Sequence, residues 1–241
     1  MFRACQYNYG GSSRGSPVSP GLLIGIVAVI IAFGAFAVFM ITGNNESEDI
    51  KSYTVTINTS DSYYQAIASI VEDLCADKNS LTTIEKYKVL HDFVVDAIDY
   101  DYDALVVGSG VSNKEANDPE RALFGGYGVC GAYAQIYADL CDYAGLDCEY
   151  VTGKAFLPGS TSTTGHAWNA VYVGGQWYHV DCCWSDTGGG LYEYFLRGEN
   201  YIQVSDGGNF RQMYEESIPF SSTDYKFDRD QSKANINIIW E

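Results

Sequence analysis

An α+β domain, with helices packed on an antiparallel sheet and preceded by one transmembrane helix, is the fold class the sequence predicts. Three observations carry it. Gly21 to Ile41 is an uncharged apolar run of 21 residues, and a helix needs about 20 to cross a bilayer. Between Asp61 and Ala144, apolar residues recur at helical spacing. From Asp147 onward the pattern turns strand-like, and Gly174-Gly175 sits between two alternating runs as a two-residue hairpin turn.

In chain order, residues 1–20 are rich in Gly, Ser, Pro and Tyr and read as a disordered cytoplasmic tail. Residues 21–42 form the transmembrane helix. A secretory signal would carry a shorter apolar region, about 7–15 residues, and a small-residue cleavage site; Thr42-Gly43-Asn44-Asn45-Glu46 offers none. Arg3 and Arg14 precede the run, while Glu46, Glu48 and Asp49 follow it. The positive-inside rule therefore puts the N-terminus in the cytoplasm and the remainder outside. Residues 43–79 are a linker, a strand near Lys51–Asn58 and a helix near Asp61–Ala76 with Tyr64, Ile67, Ile70, Val71 and Leu74 as its apolar face.

Residues 80–241 form the main domain. Ser80 is the expected cap of a helix running to Ile98, with Tyr87, Leu90, Phe93 and Val94 on its stripe. Asp118-Pro119-Glu120 starts another, since Pro suits the first helical position. A helix from Cys130 to Ala144 presents Tyr133, Ile136, Tyr137 and Leu140 on one face, and Gly145 ends it. Strands follow at 147–152, 166–173, 177–184 and 191–196, then mostly loop, then a last strand at 235–240.

The composition is 46% hydrophobic and 19% charged, enough for a buried core. The net charge is -17. Residues 1–42 hold Arg3, Arg14 and no acid, so the rest carries the whole acidic excess. Such a surface repels phosphate backbones and excludes nucleic acid as a partner. It serves solubility first and attraction of cationic substrates second. Of seven Cys, Cys5 would be cytoplasmic and six outside; if Cys130 stays a thiol, at least one other is unpaired. Cys141 and Cys148 flank a helix-to-strand turn and are candidates to pair. No Cys and His spacing suits zinc, so no metal or cofactor is expected.

Three residues carry candidate chemistry. Cys130 stands at a helix start behind Gly125, Gly126 and Gly128. There the positive end of the helix dipole and unpaired N–H groups stabilise a thiolate and can bind an oxyanion. His166 is the candidate base, and Asp181 the carboxylate that orients it. With the two-residue turn, Val173 faces Gln176, Asp181 lies opposite Trp168, and His166 lies opposite Cys183. His166 and Asp181 are then diagonal neighbours about 7–8 Å apart at the backbone. Trp168 is a candidate shield for the imidazole, Trp177 and Trp184 pack the sheet, and His179 competes with His166 because it shares a face with Asp181. His91, on the second helix, reads as a half-buried structural residue.

Gly128-Val129-Cys130, Gly165-His166-Ala167-Trp168-Asn169 and Val180-Asp181-x-x-Trp184 together resemble the three signature blocks of the transglutaminase-like superfamily, in particular its microbial members. Leu90-His91-Asp92-Phe93-Val94, Asp99-Tyr100-Asp101-Tyr102 and Tyr194-Phe195-Leu196 extend the resemblance over roughly residues 80–200. It implies a papain-like α+β core, with Cys130 as nucleophile, His166 as general base and acid, and Asp181 as orienting carboxylate. The family's Thr two residues after its Asp is Cys183 here. The family's side-chain oxyanion donor lies upstream of its Cys, and Tyr127 is the candidate by sequence position.

The expected function is cysteine-dependent acyl transfer on protein or peptide amides through a thioester, with hydrolysis favoured over cross-linking. The expected location is the cell membrane, single-pass, with the catalytic domain extracellular. The alternative is a catalytically inactive binding or scaffolding module on the same fold. A redox role for the adjacent Cys182 and Cys183 is disfavoured by their spacing.

Overall fold

The computed structural model describes residues 50–76, 80–106, 110–156, 163–188, 190–204, 212–214 and 218–241. The expected tail and transmembrane helix lie outside the described residues. Among those described, no helix is long and apolar enough to cross a membrane.

The chain opens with strand β1 (Ser52–Ile57) and helix α1 (Tyr63–Cys75). Helix α1 buries Tyr63, Ile67, Ile70, Val71 and Leu74, while Tyr64, expected on that face, is 73% exposed. Tyr63 replaces it and anchors its hydroxyl on Asp139 at 2.7 Å. Helix α2 (Thr83–Ala97) starts at Thr82, not Ser80. The Thr82 hydroxyl accepts from the Glu85 N–H, and the Glu85 carboxylate accepts from the Thr82 N–H at 2.8 Å. This reciprocal capping satisfies two donors, and Ser80 instead takes a positive φ of 47° before the helix.

Strand β2 (Asp99–Tyr100) leads to the short helices α3 (Asn113–Ala116) and α4 (Pro119–Gly125), then strand β3 (Tyr127–Gly128), which pairs parallel with β2. Asp118 caps α4 with Pro119 at its first position, as the sequence predicts. Helix α5 (Cys130–Tyr143) is the centre of the domain. Tyr133, Ile136, Tyr137 and Leu140 are completely buried on it, each such side chain contributing about 1.5–3 kcal/mol. Helix α5 packs against α1, α2 and α4. Its tyrosines are also pinned by hydrogen bonds, Tyr133 to the Ile98 carbonyl at 2.8 Å and Tyr137 to the Tyr87 carbonyl at 3.1 Å.

Strands β4 (Cys148–Phe156), β5 (Thr163–Val173) and β6 (Gln176–Val180) follow, then helix α6 (Cys182–Thr187), strand β7 (Phe195–Arg197), helix α7 (Glu199–Val204), and strands β8 (Gln212–Tyr214) and β9 (Asn235–Trp240). The main sheet has the order β7-β6-β5-β4-β8 and is antiparallel throughout. Helix α5 packs on β4 and β5. Gly174 and Gly175 have φ of 59° and 89°, the all-positive turn that matches strand twist. The hairpin register is the predicted one, Val173 with Gln176 through Asn169 with Val180.

The ladder then stops short of its expected length. The strand expected at 177–184 ends at Val180, so the expected pairs Asp181 with Trp168 and Cys183 with His166 do not form. Asp181 instead caps α6, its Oδ1 accepting from the Trp184 N–H at 2.9 Å. The last strand, β9, pairs in parallel with β1 in a separate two-stranded sheet.

Candidate active site

Cys130 is the first residue of α5, and its position is fixed from both sides. The Val129 N–H donates to the Ala116 carbonyl at 3.0 Å. At Gly128 a Cβ would lie 2.8 Å from the Cβ of Ala132 and 2.9 Å from that of Ala122, so only glycine lets the strand pass this close to α4 and α5. Behind the site, the Asn169 amide on β5 donates to the Ala134 carbonyl of α5 at 2.9 Å. That bond ties the helix bearing the thiol to the strand bearing the imidazole.

His166 Nε2 lies 2.6 Å from Asp181 Oδ2. The other ring nitrogen, Nδ1, is left for Cys130, whose side chain hydrogen-bonds the imidazole. The structure thus brings Cys130, His166 and Asp181 together. The carboxylate reaches the ring by capping α6, with Oδ1 on the helix and Oδ2 on the imidazole.

Burial opposes both charges, yet their mutual attraction wins. Burial alone would lower the pKa of the His166 imidazolium, but Asp181 and the Cys130 thiolate raise it from 6.5 to about 10. Burial would push the Cys130 thiol up, but the His166 hydrogen bond and charge, with the Ala167 backbone, bring it below its ordinary value. Both shifts favour passage of the thiol proton to the imidazole.

Trp168 is buried, and its ring stands 5.9 Å from that of His166 at 17°. Trp184 lies closer, at 4.5 Å and 19°. The sequence reading gave Trp184 to sheet packing; the α6 fold-back puts it on the imidazole instead, and the Asp181 cap was the signal that could have shown this. Tyr127 is 54% exposed, is not among the residues lining the cleft, and its carbonyl accepts from Arg121. Its side chain cannot act as oxyanion donor from there. His179 does not compete for the thiol: its ring binds Trp168 and Glu199. His91 is fully buried beside Asp92, away from the thiol.

A cleft of about 610 Å³ opens on Cys130. Tyr100, Val129, Tyr150 and Trp184 supply apolar wall, Asn113 and Asn117 supply amides, and among the described residues none that lines the cleft is an Asp, Glu, Lys or Arg. Cys75, Cys130, Cys141, Cys148, Cys182 and Cys183 are free thiols. The expected candidates Cys141 and Cys148 are unbridged, with their side chains in hydrogen-bonding contact. Cys183 lines the cleft, and burial pushes its thiol well above the ordinary value.

Residues 68–182 match the family model of the transglutaminase-like superfamily. This stretch is a transglutaminase-like core. Kyphoscoliosis peptidase of Mus musculus is 28% identical to the chain over 149 residues, covering 58% of this chain and 20% of that protein. The Homo sapiens protein of the same name is 29% identical over 125 residues, covering 48% and 17%. The chain thus spans about a fifth of the length of the curated relatives it matches. A solved structure described as a TGase is 14% identical, with a TM-score of 0.39, and the match covers 74% of this chain and 40% of that one. The transglutaminase-like core accounts for the thiol-bearing helix α5 and the antiparallel strands β4 to β6.

Proposed function

We propose that this domain is a cysteine-dependent acyl-transfer enzyme that acts on protein or peptide amides. One observation carries the reading: His166 Nε2 is bound to Asp181 at 2.6 Å while the same ring hydrogen-bonds Cys130. The thiolate attacks the amide carbonyl carbon and forms a C–S bond. The negative charge moves to the carbonyl oxygen, where the unpaired N–H groups of the first turn of α5 stabilise it. His166 gives its Nδ1 proton to the departing amine as the C–N bond breaks, leaving a thioester. The neutral imidazole then takes a proton from water, hydroxide attacks the thioester, and the thiolate leaves.

An amine in place of that water would give a cross-link. We favour water. The cleft of about 610 Å³ is wide enough to admit water to the thioester, and aminolysis needs water excluded. Its neutral lining suits an uncharged acyl side chain. Residues 21–41 are the proposed membrane anchor, with the catalytic domain outside the cell.

The test compares the full chain with Cys130→Ala in detergent, on a mixed protein substrate read by mass spectrometry. Cleavage or deamidation by the wild type alone supports hydrolysis; isopeptide products support transfer. Identical products from the two proteins would sink the enzyme reading and favour an inactive binding module. Surface protease treatment of intact cells, with loss of the domain expected, tests the topology.

A further inference from the structure

We propose that His179 and Glu199 are positioning residues for the His166 imidazole, acting through the ring of Trp168. The proposal rests on the acyl-transfer reading and extends it to a second hydrogen-bonded chain behind the site. Trp168 Nε1 lies 3.1 Å from His179 Nδ1. An indole N–H can only donate, so His179 Nδ1 must accept and carries no proton. His179 Nε2 therefore bears the hydrogen, and it points at Glu199 Oε2, 3.2 Å away. Both contacts select one tautomer of a neutral ring. Burial favours the same state, pushing the His179 imidazolium below its ordinary value against the pull of Glu199. Phe220 stacks on the ring at 3.6 Å and 12°, fixing its plane.

The chain thus runs from the first turn of α7 to the imidazole that faces the thiol. Glu199 orients His179, His179 holds the indole by its only polar atom, and the indole face stands nearly parallel to His166. Releasing the indole would let it rotate off the imidazole and admit water to the His166–Asp181 pair. A higher local dielectric weakens the attraction between imidazolium and thiolate. Cys130 then gives up its acidity. The other titratable groups near the thiol are Asp181, Cys183, Tyr100 and Tyr150, and the variants below leave all four in place.

The experiment measures carbamidomethylation of Cys130 by iodoacetamide between pH 4 and 10, on the full chain, by peptide mass spectrometry. His179→Phe keeps an aromatic ring on Phe220 and removes the acceptor. It is expected to raise the midpoint by about one pH unit, a tenfold loss of thiolate below the midpoint. His179→Gln restores an acceptor for the indole and is expected to recover most of the shift. Glu199→Ala is expected to move the midpoint the same way by less. Glu199 is on the partly exposed side of the chain, so this variant tests the proposal even if His179→Phe does not fold. Wild-type midpoints in folded Glu199→Ala and His179→Phe would overturn the proposal, as would an unshifted Glu199→Ala alone. A wild-type Cys130 titrating near the free value of about 8.5 would instead remove the acyl-transfer reading itself.

Discussion

Replacing Asp181 by Asn tests the electrostatics of the site without removing an atom's worth of volume. Asp181 has two bonds to keep: Oδ1 to the Trp184 N–H and Oδ2 to His166 Nε2. Only oxygen can accept from the Trp184 N–H, so Asn would turn its amide NH₂ toward the imidazole. Nε2 must then accept, and the ring proton moves to Nδ1, pointing at the sulfur. The ring also loses the charge that raised it to about 10, and burial, its largest opposing influence, takes over. At pH 7 the imidazole of the variant is neutral and cannot take the thiol proton.

The size of the effect follows. Without the imidazolium, Cys130 returns at least to the free value of about 8.5, where some 3% is thiolate at pH 7. A more basic thiolate is the better nucleophile, with a Brønsted slope of about 0.4–0.5, which returns a few-fold. Alkylation at pH 7 should fall roughly tenfold or more, and acyl transfer further, by roughly the 10⁴ that the same change costs a serine triad. The α6 cap survives, so the stability lost near pH 6 should be that of the His166–Asp181 ion pair alone. The His166 charge adds stability fully below 6.5, and that contribution fades as pH rises through about 10. The stability gap between wild type and variant should therefore close as pH rises past 10. A folded Asp181→Asn with the wild-type alkylation midpoint would refute the ion-pair argument.

Three further substitutions have definite outcomes. Gly131→Ala would place a Cβ 2.1 Å from Asn117 Oδ1, on a side chain whose amide makes two 2.7 Å bonds to Asn113; thermal melts should show a loss of about 1–3 kcal/mol. Asp92 is buried and accepts from Tyr192 at 2.8 Å, Lys88 at 2.9 Å and the Ala234 N–H at 3.0 Å. Asp92→Ala should therefore cost about 3–5 kcal/mol in denaturant titrations. The Asp92 carboxyl lies below its ordinary range because His91, Lys88 and Ala234 outweigh burial. Its contribution is present above the ordinary carboxylate value and is lost as pH falls through the lowered one, so the wild type should resist acid further than Asp92→Asn. Trp184→Ala strips the nearer ring from His166 and should raise the Cys130 alkylation midpoint with little change in fold.

Where local spacing determines geometry, the sequence was readable. The Gly174-Gly175 turn set the register of β5 and β6. Tyr87, Leu90, Phe93 and Val94 declared their helix face by period alone. What the sequence hid was long-range or side-chain dependent. The pairing of β1 with β9 joins residues at opposite ends of the domain, and no local pattern encodes it. Tyr63 and Tyr64 are adjacent and equally apolar, and only the Asp139 partner decides which turns inward. The alternation of 177–184 suited a strand, but a carboxylate at 181 could satisfy the next backbone donors and turn the chain into a helix.

That last failure of the strand pattern is where the chemistry sits. One carboxylate ends β6, begins α6 and holds the imidazole, because Oδ1 and Oδ2 serve different masters. Had the strand continued, Trp184 would have projected from a ladder position instead of lying 4.5 Å from His166. The cost of breaking the ladder is small, since the Asp181 N–H still reaches the Tyr194 carbonyl at 3.0 Å. The gain is a carboxylate that cannot rotate away from the ring without uncapping a helix, a penalty of about 1 kcal/mol. Fold and site are thus coupled through one side chain, and a longer Glu at 181 would have to abandon one of its two partners.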